Sequence, residues 1–182
     1  MQIRIVGAGS LGLLLAGLLG RGSAETVIVT RSERQSRLLN ERGLTVVEPE
    51  GAFTVYPRAV SQAEADRYGE KPKWILLAVK QTQIDDRLLE RLQSQFGERT
   101  KLVCFQNGIG HTERLSAVLP ADRIFVAVTT EGAKRTSPHT VEHTGRGHTW
   151  IGQSAPPLYS GAFPQGEDAA PVRREAGLGD LR

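Results

Sequence analysis

The first twelve residues have the glycine spacing of a phosphate-binding turn. A short apolar strand leads into Gly7-x-Gly9-x-x-Gly12, and an apolar helix follows at once. In such a unit the first glycine permits a tight turn, the second admits a pyrophosphate to the backbone, and the third lets the helix pack closely on the sheet. The helix N-terminus offers unpaired N–H groups to the phosphates. An ordinary glycine-rich turn is the alternative, but the context favours a dinucleotide site formed by Gly7, Ala8, Gly9, Ser10, Leu11 and Gly12.

Arg31 occupies the position after the second strand at which dinucleotide-binding units usually distinguish NAD from NADP. It follows an apolar strand over residues 26–30, about 20 positions after Gly12, where an NAD-binding unit carries an acid that accepts from the ribose 2′-hydroxyl. A guanidinium there would instead bind a 2′-phosphate at two points, with Ser32 and Arg34 close enough to help. This predicts NADP(H) rather than NAD(H). Two alternatives stay open: Arg31 is a solvated surface cation, or Glu33 faces the ribose and favours NAD.

Polar residues also follow three further apolar strands. Ligands of doubly wound sheets gather beyond the carboxyl ends of the strands, so residues there are candidates for the same site. The three segments are Lys80 after residues 74–79, Asn107-Gly-Ile-Gly110 after residues 102–106, and Thr129-Thr-Glu-Gly-Ala133 after residues 124–128. The alternatives are a surface charge for Lys80, a tight turn for Asn107-Gly108, and a plain strand end for the threonines.

Strand and helix patterns alternate, which predicts an α/β fold with a Rossmann-like, doubly wound, mostly parallel sheet. Leucines give the first helix a wide apolar face, Ser32-x-x-Gln35 has the pattern of a capping box for the second, and Gly43 is placed to end it. A hairpin with residues 49–51 in its turn interrupts simple strand–helix alternation. Further helices are predicted after Ser61, along Ile84, Leu88, Leu92 and Phe96, and along Leu115, Val118 and Leu119. From Thr140 to Ile151 the sequence predicts strands around a turn at residues 145–147.

Composition excludes several other classes of function. The 182 residues carry a formal net charge of +3, and their cations are scattered among acids rather than gathered in the stripe that nucleic acid requires. The single cysteine, Cys104, lies in an apolar strand pattern and is expected to be buried, and no metal site is predicted. No secretory pattern precedes the first strand, and the longest apolar run is too short to span a bilayer. We therefore expect a cytoplasmic protein without a membrane partner. The oligomeric state stays open.

The last thirty residues differ in kind from the rest. Residues 153–182 contain four prolines and four glycines and show neither helical nor strand periodicity. This composition predicts an irregular or flexible tail after a nucleotide-binding domain over residues 1–152.

The motifs taken together resemble the ketopantoate reductase (2-dehydropantoate 2-reductase) family over residues 1 to about 152. The matching segments are Ile5-Val-Gly-Ala-Gly-Ser-Leu-Gly12, Arg31, Leu76-Leu-Ala-Val-Lys80, Gln106-Asn-Gly-Ile-Gly110, Thr129-Thr-Glu-Gly-Ala133 and Gly145-x-Gly147-x-x-x-Ile151-Gly152. The resemblance implies NADPH-dependent reduction of a 2-keto acid to pantoate, in pantothenate and coenzyme A synthesis. It also implies that Arg31 holds the 2′-phosphate, that Lys80 lines the cofactor side of the cleft, and that the backbone around Ala133 completes the cofactor pocket. Asn107 would contact the nicotinamide ribose and face the substrate.

The chain departs from the family after Gly152. Family members carry their proton-donor lysine on a helical C-terminal domain, whereas residues 153–182 contain no lysine. We therefore expect that domain to be missing, by truncation or by a frameshift, and assign no catalytic residue in this chain. A non-catalytic NADP(H)-binding module and another NADP-linked 2-hydroxyacid dehydrogenase are the alternative functions, since a shared fold does not fix the substrate.

Overall fold

The structure, a computed structural model, describes residues 2–67, 70–106 and 110–153. The strands in these ranges are β1 (Gln2–Val6), β2 (Glu25–Thr30), β3 (Leu44–Glu48), β4 (Gly51–Val55), β5 (Arg58–Ser61), β6 (Trp74–Leu77), β7 (Lys101–Cys104), β8 (Ile124–Thr129), β9 (Gly132–Ser137), β10 (Thr140–Gly145) and β11 (Thr149–Gln153). The α-helices are α1 (Ser10–Arg21), α2 (Glu33–Arg42), α3 (Gln62–Ala65), α4 (Asp86–Gln95) and α5 (His111–Ser116).

Seven strands form the main sheet in the order β11-β8-β7-β6-β1-β2-β5. Neighbouring strands are parallel except for β11, which runs antiparallel to β8 at one edge. The central strands β6 and β7 are mainly apolar and buried, as expected of a parallel sheet that is covered on both faces. This arrangement confirms the predicted doubly wound, mostly parallel sheet.

Two apolar clusters hold the main sheet. On one face, α1 buries Leu13, Leu14 and Leu15 against the strands. On the other, Leu88 and Leu92 of α4 belong to a cluster with apolar side chains of the central strands. A charged side chain also lies inside the fold: Arg4 of β1 is fully buried, and its guanidinium donates to Gln95 Oε1 at 3.1 Å and to the carbonyl oxygen of Glu70 at 3.0 Å.

A second sheet of four strands, in the order β4-β3-β10-β9, packs against α1. The predicted hairpin is present as antiparallel β3 and β4, with residues 49–50 between them. Strand β9 was not predicted, because its Lys-Arg-Thr-Ser stretch has no apolar alternation. Strands flank residues 145–147 as predicted, yet they belong to different sheets, with β10 in the small sheet and β11 in the main one.

Several predicted helix boundaries need correction. Asp85 caps α4 by accepting from the backbone N–H of Leu88 at 2.8 Å, so Ile84 and Phe96 flank this helix rather than lie in it. Val118 and Leu119 likewise lie beyond the end of α5.

Two other cap predictions have different outcomes. The capping box after Ser61 is complete, with its reciprocal bonds to Glu64. Ser32 caps α2 as predicted, but the Gln35 side chain does not return to it. The helix ends before Gly43, where the sequence placed its end.

The carboxyl end of the described region also differs from expectation. Gln153, assigned to the tail, is the last residue of β11, where it pairs with Phe125. The rest of the predicted tail, residues 154–182, lies outside the described residues. Within the ranges that the structure covers, no helix has the length and apolarity needed to cross a membrane.

Candidate dinucleotide-binding site

The glycine-rich turn joins β1 to α1 at the carboxyl edge of the main sheet. Gly7 has a φ of +109°, and its N–H donates to the carbonyl oxygen of Val29 on β2 at 3.1 Å. A Cβ atom at Gly7 would lie 2.9 Å from the carbonyl carbon of Ala78, and one at Gly12 would lie 1.8 Å from the carbonyl oxygen of Gly7. Both positions therefore require glycine, for the backbone conformation and for the close approach of α1.

The start of α1 is open to a ligand. Gly9 is the N-cap, and a Cβ atom there would have nothing within 4 Å. No side chain caps this helix end by a hydrogen bond within the described part of the chain, and its first turn contains no acid. The first N–H groups and the positive end of the helix dipole are thus left for an anion. This geometry suits a pyrophosphate at residues 9–12.

The turn is held in place by two side chains that sequence reasoning missed. Gln35 of α2 donates through Nε2 to the carbonyl oxygen of Ala8 at 3.0 Å and to that of Pro138 at 2.9 Å. Arg135 of β9 donates through Nη1 to the same Ala8 oxygen at 3.3 Å, and its backbone N–H donates to Ser10 Oγ at 3.0 Å. The Ser32-x-x-Gln35 spacing suggested only a helix cap, and nothing local links β9 to the turn.

Arg31 lies directly after β2, next to the strand that carries the turn. It is exposed and forms no hydrogen bond or ion pair with any other described residue. Glu33, the competing residue, lies 4.0 Å from Arg37 in an ion pair along α2. The Arg31 guanidinium is therefore available to an anionic group at this edge, while the Glu33 carboxylate has a cation beside it.

An open polar depression of about 470 Å³ lies beside Ala8, between the start of α2 and the end of β9. Its lining combines two guanidinium groups with three hydroxyls and contains no carboxylate among the described residues. The lining residues are Ser32, Arg34, Gln35, Arg135, Thr136, Ser137 and Pro138. A depression of this composition suits an anion with several oxygen acceptors.

Of the remaining predicted site residues, the structure describes Lys80 and Ala133. Lys80 is exposed three residues beyond β6, and its backbone N–H donates to Gln83 Oε1 at 2.9 Å. Ala133 lies in β9, half-buried against the cluster that contains α1. Asn107 lies outside the described residues.

Gln106, just before that gap, ties the ends of two strands together. Its Nε2 donates to the carbonyl oxygens of Leu77 and Val79, each at 2.9 Å, and its Oε1 is buried with no hydrogen-bond partner among the residues that the structure describes. The amide fixes the backbone that leads to Lys80 relative to the end of β7.

A buried histidine between two carboxylates joins the small sheet to the end of β8. His143 of β10 is 5% exposed, with Nε2 2.6 Å from Glu131 Oε2 and Nδ1 3.4 Å from Glu48 Oε1. Glu131 also accepts from the N–H of Gly147 at 3.0 Å, and Arg21 lies 3.0 Å from Glu48. Burial alone would raise the pKa of Glu48, but the hydrogen bonds from His143 and Arg21 outweigh it and lower that pKa. The cluster fixes residues 129–133 at the site edge.

Two further buried groups have perturbed acidity. Burial raises the pKa of the Cys104 thiol to about 12, so this cysteine is a buried apolar residue rather than a nucleophile, as predicted. His111, at the start of α5, is 3% exposed, and neither ring nitrogen has a hydrogen-bond partner among the described residues. Burial lowers the pKa of its imidazole, against the opposing charge of Glu113.

The fold and the turn define a Rossmann-like α/β domain with an inserted antiparallel sheet and a glycine-rich phosphate turn. The chain belongs to the ketopantoate reductase PanE/ApbA family, whose family model matches residues 3–156. This confirms the resemblance inferred from the motifs.

Curated relatives are 2-dehydropantoate 2-reductases. The enzyme of Halobacterium salinarum is 34% identical over 159 residues, which cover 84% of this chain and 49% of the relative. The enzyme of Pyrococcus horikoshii is 33% identical over 152 residues, which cover 84% and 47%. The chain thus spans about half the length of the curated relatives it matches.

Solved structures agree on the fold. A 2-dehydropantoate 2-reductase from Geobacter metallireducens matches with a TM-score of 0.73 and 28% identity, covering 84% of this chain and 49% of that one. A D-mandelate dehydrogenase in complex with NADH and anilino(oxo)acetate matches with a TM-score of 0.76 and 25% identity, covering 84% and 48%.

Proposed function

We propose that residues 1–152 form the domain that binds NADPH in a reductase converting 2-dehydropantoate to pantoate, a step of pantothenate and coenzyme A synthesis. Membership of the ketopantoate reductase family supports the reaction. The observation that carries the cofactor assignment is the Arg31 guanidinium directly after β2, which has no partner among the described residues, beside a helix start that no described side chain caps.

The preference for NADPH rests on charge at the end of β2. The D-mandelate dehydrogenase of similar fold was solved with NADH, so the fold by itself does not select the cofactor. A 2′-phosphate requires cations where NAD-binding units place an acid. Here Arg31 has no ion-pair partner in the described ranges and Glu33 lies beside Arg37, which supports a site for the phosphate rather than for a 2′-hydroxyl.

The chain's residues would position the reactants rather than transfer the proton. The bound cofactor supplies a hydride to the ketone carbon, and the developing oxyanion requires a donor and a proton. We place the pyrophosphate on residues 7–12, the nicotinamide end near Lys80 and Asn107, and the backbone around Ala133 along the cofactor. Asn107 would also face the keto acid. We assign the proton donor to none of the described residues.

Calorimetry with the 182-residue chain tests the cofactor assignment. Wild type should bind NADPH more tightly than NADH. Arg31→Ala should weaken NADPH binding selectively, by about 1.5–3 kcal/mol, the range for a hydrogen bond to a charged group. Arg87→Ala, which removes an equal charge from an exposed position on α4, is the matched control and should change neither affinity. Equal binding of both cofactors to wild type, or equal weakening of both by Arg31→Ala, would contradict the assignment.

A second candidate is an NADP-linked 2-hydroxyacid dehydrogenase with another substrate. The likeness to D-mandelate dehydrogenase favours it, since that enzyme shares the fold at a similar level. Ligand-observed NMR on the NADP⁺-loaded chain separates the two. Saturation transfer to 2-dehydropantoate but not to an aromatic 2-keto acid supports the first candidate, and the reverse supports the second.

A further inference from the structure

We infer that Arg135 of β9 is a specificity-determining residue that contacts the 2′-phosphate of the cofactor from the side opposite Arg31. This inference rests on the proposed NADPH-binding function and extends it to the small sheet. Arg135 lies in a strand that the sequence did not predict, so neither the glycine spacing nor the residue after β2 points to it.

The position of Arg135 is fixed by the turn itself. Its backbone N–H donates to Ser10 Oγ at 3.0 Å, and its Nη1 donates to the carbonyl oxygen of Ala8 at 3.3 Å. In the β9–β10 ladder it pairs with Val141, whereas the preceding Lys134 pairs with Glu142. Successive side chains of a strand point to opposite faces, so only Arg135 of the two cations faces the turn.

The guanidinium has donors to spare. Arginine carries five N–H donors, and one hydrogen bond to Ala8 leaves the others open. Arg135 has no carboxylate partner among the described residues, and neither has Arg34 on the other wall of the depression. Two guanidinium groups that line one depression without a carboxylate partner repel each other, and an anion between them relieves this repulsion.

The rest of the lining matches a phosphate monoester. Hydroxyls of Ser32, Thr136 and Ser137 border the same depression of about 470 Å³. Ser32 directly follows Arg31 in the chain, so one wall of the depression begins one residue after the cation that we propose to bind the 2′-phosphate. A phosphate attached to that ribose would meet Arg31 on one side and Arg135 on the other, each able to donate two hydrogen bonds.

Adenosine fragments test this without the nicotinamide end. We compare 2′,5′-ADP with 5′-AMP by calorimetry on wild type, Arg135→Gln and Lys134→Gln. Arg135→Gln keeps one donor for the Ala8 carbonyl and should weaken 2′,5′-ADP at least about ten-fold while changing 5′-AMP less than about two-fold. Lys134→Gln removes the same charge from the other face of β9 and should leave both affinities within about two-fold.

The outcomes separate the inference from the function beneath it. If Arg135→Gln weakens binding of both fragments equally, Arg135 only positions the turn and the inference is wrong. An unchanged affinity for 2′,5′-ADP also overturns the inference. Neither result contradicts the NADPH proposal. If wild type binds 2′,5′-ADP no better than 5′-AMP, both fall. Should Arg135→Gln lower the thermal midpoint markedly, Arg135→Lys replaces it: a selective loss for 2′,5′-ADP supports the inference, and an equal loss for both fragments overturns it.

Discussion

The carbonyl oxygen of Gly7 occupies the space that a side chain on residue 12 would need. A Cβ atom there would lie 1.8 Å from that oxygen and 3.4 Å from the Cβ of Ala78. The start of α1 is therefore pressed onto the ends of β1 and β6, and the fully buried Leu13 and Leu14 follow directly in the helix. Glycine at this position is a condition for the packing of α1 as well as for ligand binding.

Gly12→Ala should for this reason destabilise the fold. The methyl group cannot be accommodated without moving α1 or the turn backbone, and we expect the free energy of unfolding to fall by at least about 2 kcal/mol. Urea unfolding followed by circular dichroism measures this. An unchanged unfolding midpoint would mean that the turn adapts freely and that the contact has no energetic weight.

Gly9→Ala should have the opposite profile. Its Cβ atom meets nothing within 4 Å, and φ is −81°, so alanine fits without strain. The free energy of unfolding should change by no more than about 1 kcal/mol, since alanine is only a poorer helix cap than glycine. NADPH affinity should fall at least about ten-fold, because the methyl group lies where a pyrophosphate approaches the backbone. Retained affinity with a loss of stability would place the phosphates elsewhere.

The parts of the site that sequence predicted are local in the chain. The turn over residues 7–12 and the cation after β2 are each visible in a few consecutive residues, because apolar runs and glycine spacing encode them directly. The hydrogen bonds to the Ala8 carbonyl oxygen are not visible in this way, since Arg135 lies 127 positions from Ala8 in the chain and Gln35 lies 27 positions from it. The strand of Arg135, β9, has no apolar alternation to reveal it, and Gln35 has the spacing of a cap residue but makes tertiary hydrogen bonds.

His111 should make stability depend on pH in mildly acid solution. Its imidazole is buried without a hydrogen-bond partner in the described ranges, and burial lowers its pKa from the usual 6.5. The unfolded chain therefore binds this proton first, so stability is full above about pH 6.5 and falls as the pH drops below it. His111→Leu should flatten the urea midpoint between about pH 7 and 5. His148→Gln, at an exposed position, should keep the wild-type slope, and a slope retained in His111→Leu would assign it to another group.

Glu48 should make stability depend on pH in more acidic solution. Its pKa lies below the usual 4.5 because His143 and Arg21 hydrogen-bond to the carboxylate, against the effect of burial. A carboxyl group of lowered pKa adds stability that is complete above its unfolded-state value and is lost as the pH falls through its folded-state value. Glu48→Gln should therefore lose stability at neutral pH and lose less than wild type on acidification below about pH 4.5. Parallel pH curves for the two proteins would contradict this.

The Glu131–His143–Glu48 arrangement predicts a strong energetic coupling between His143 of the small sheet and Glu131 at the end of β8. His143→Gln leaves the nine-tenths buried Glu131 carboxylate without the ring nitrogen that lies 2.6 Å away, so unfolding should become easier by about 3 kcal/mol. The double variant with Glu131→Gln also removes the carboxylate that His143→Gln leaves without its partner. Its loss of unfolding free energy should therefore be smaller than the sum of the two single losses by at least about 1 kcal/mol. Urea unfolding of all four proteins measures the cycle. Additive losses would mean that the short contact is not an ion pair, and that the loop at residues 129–133 is held by the Gly147 N–H and by strand pairing alone.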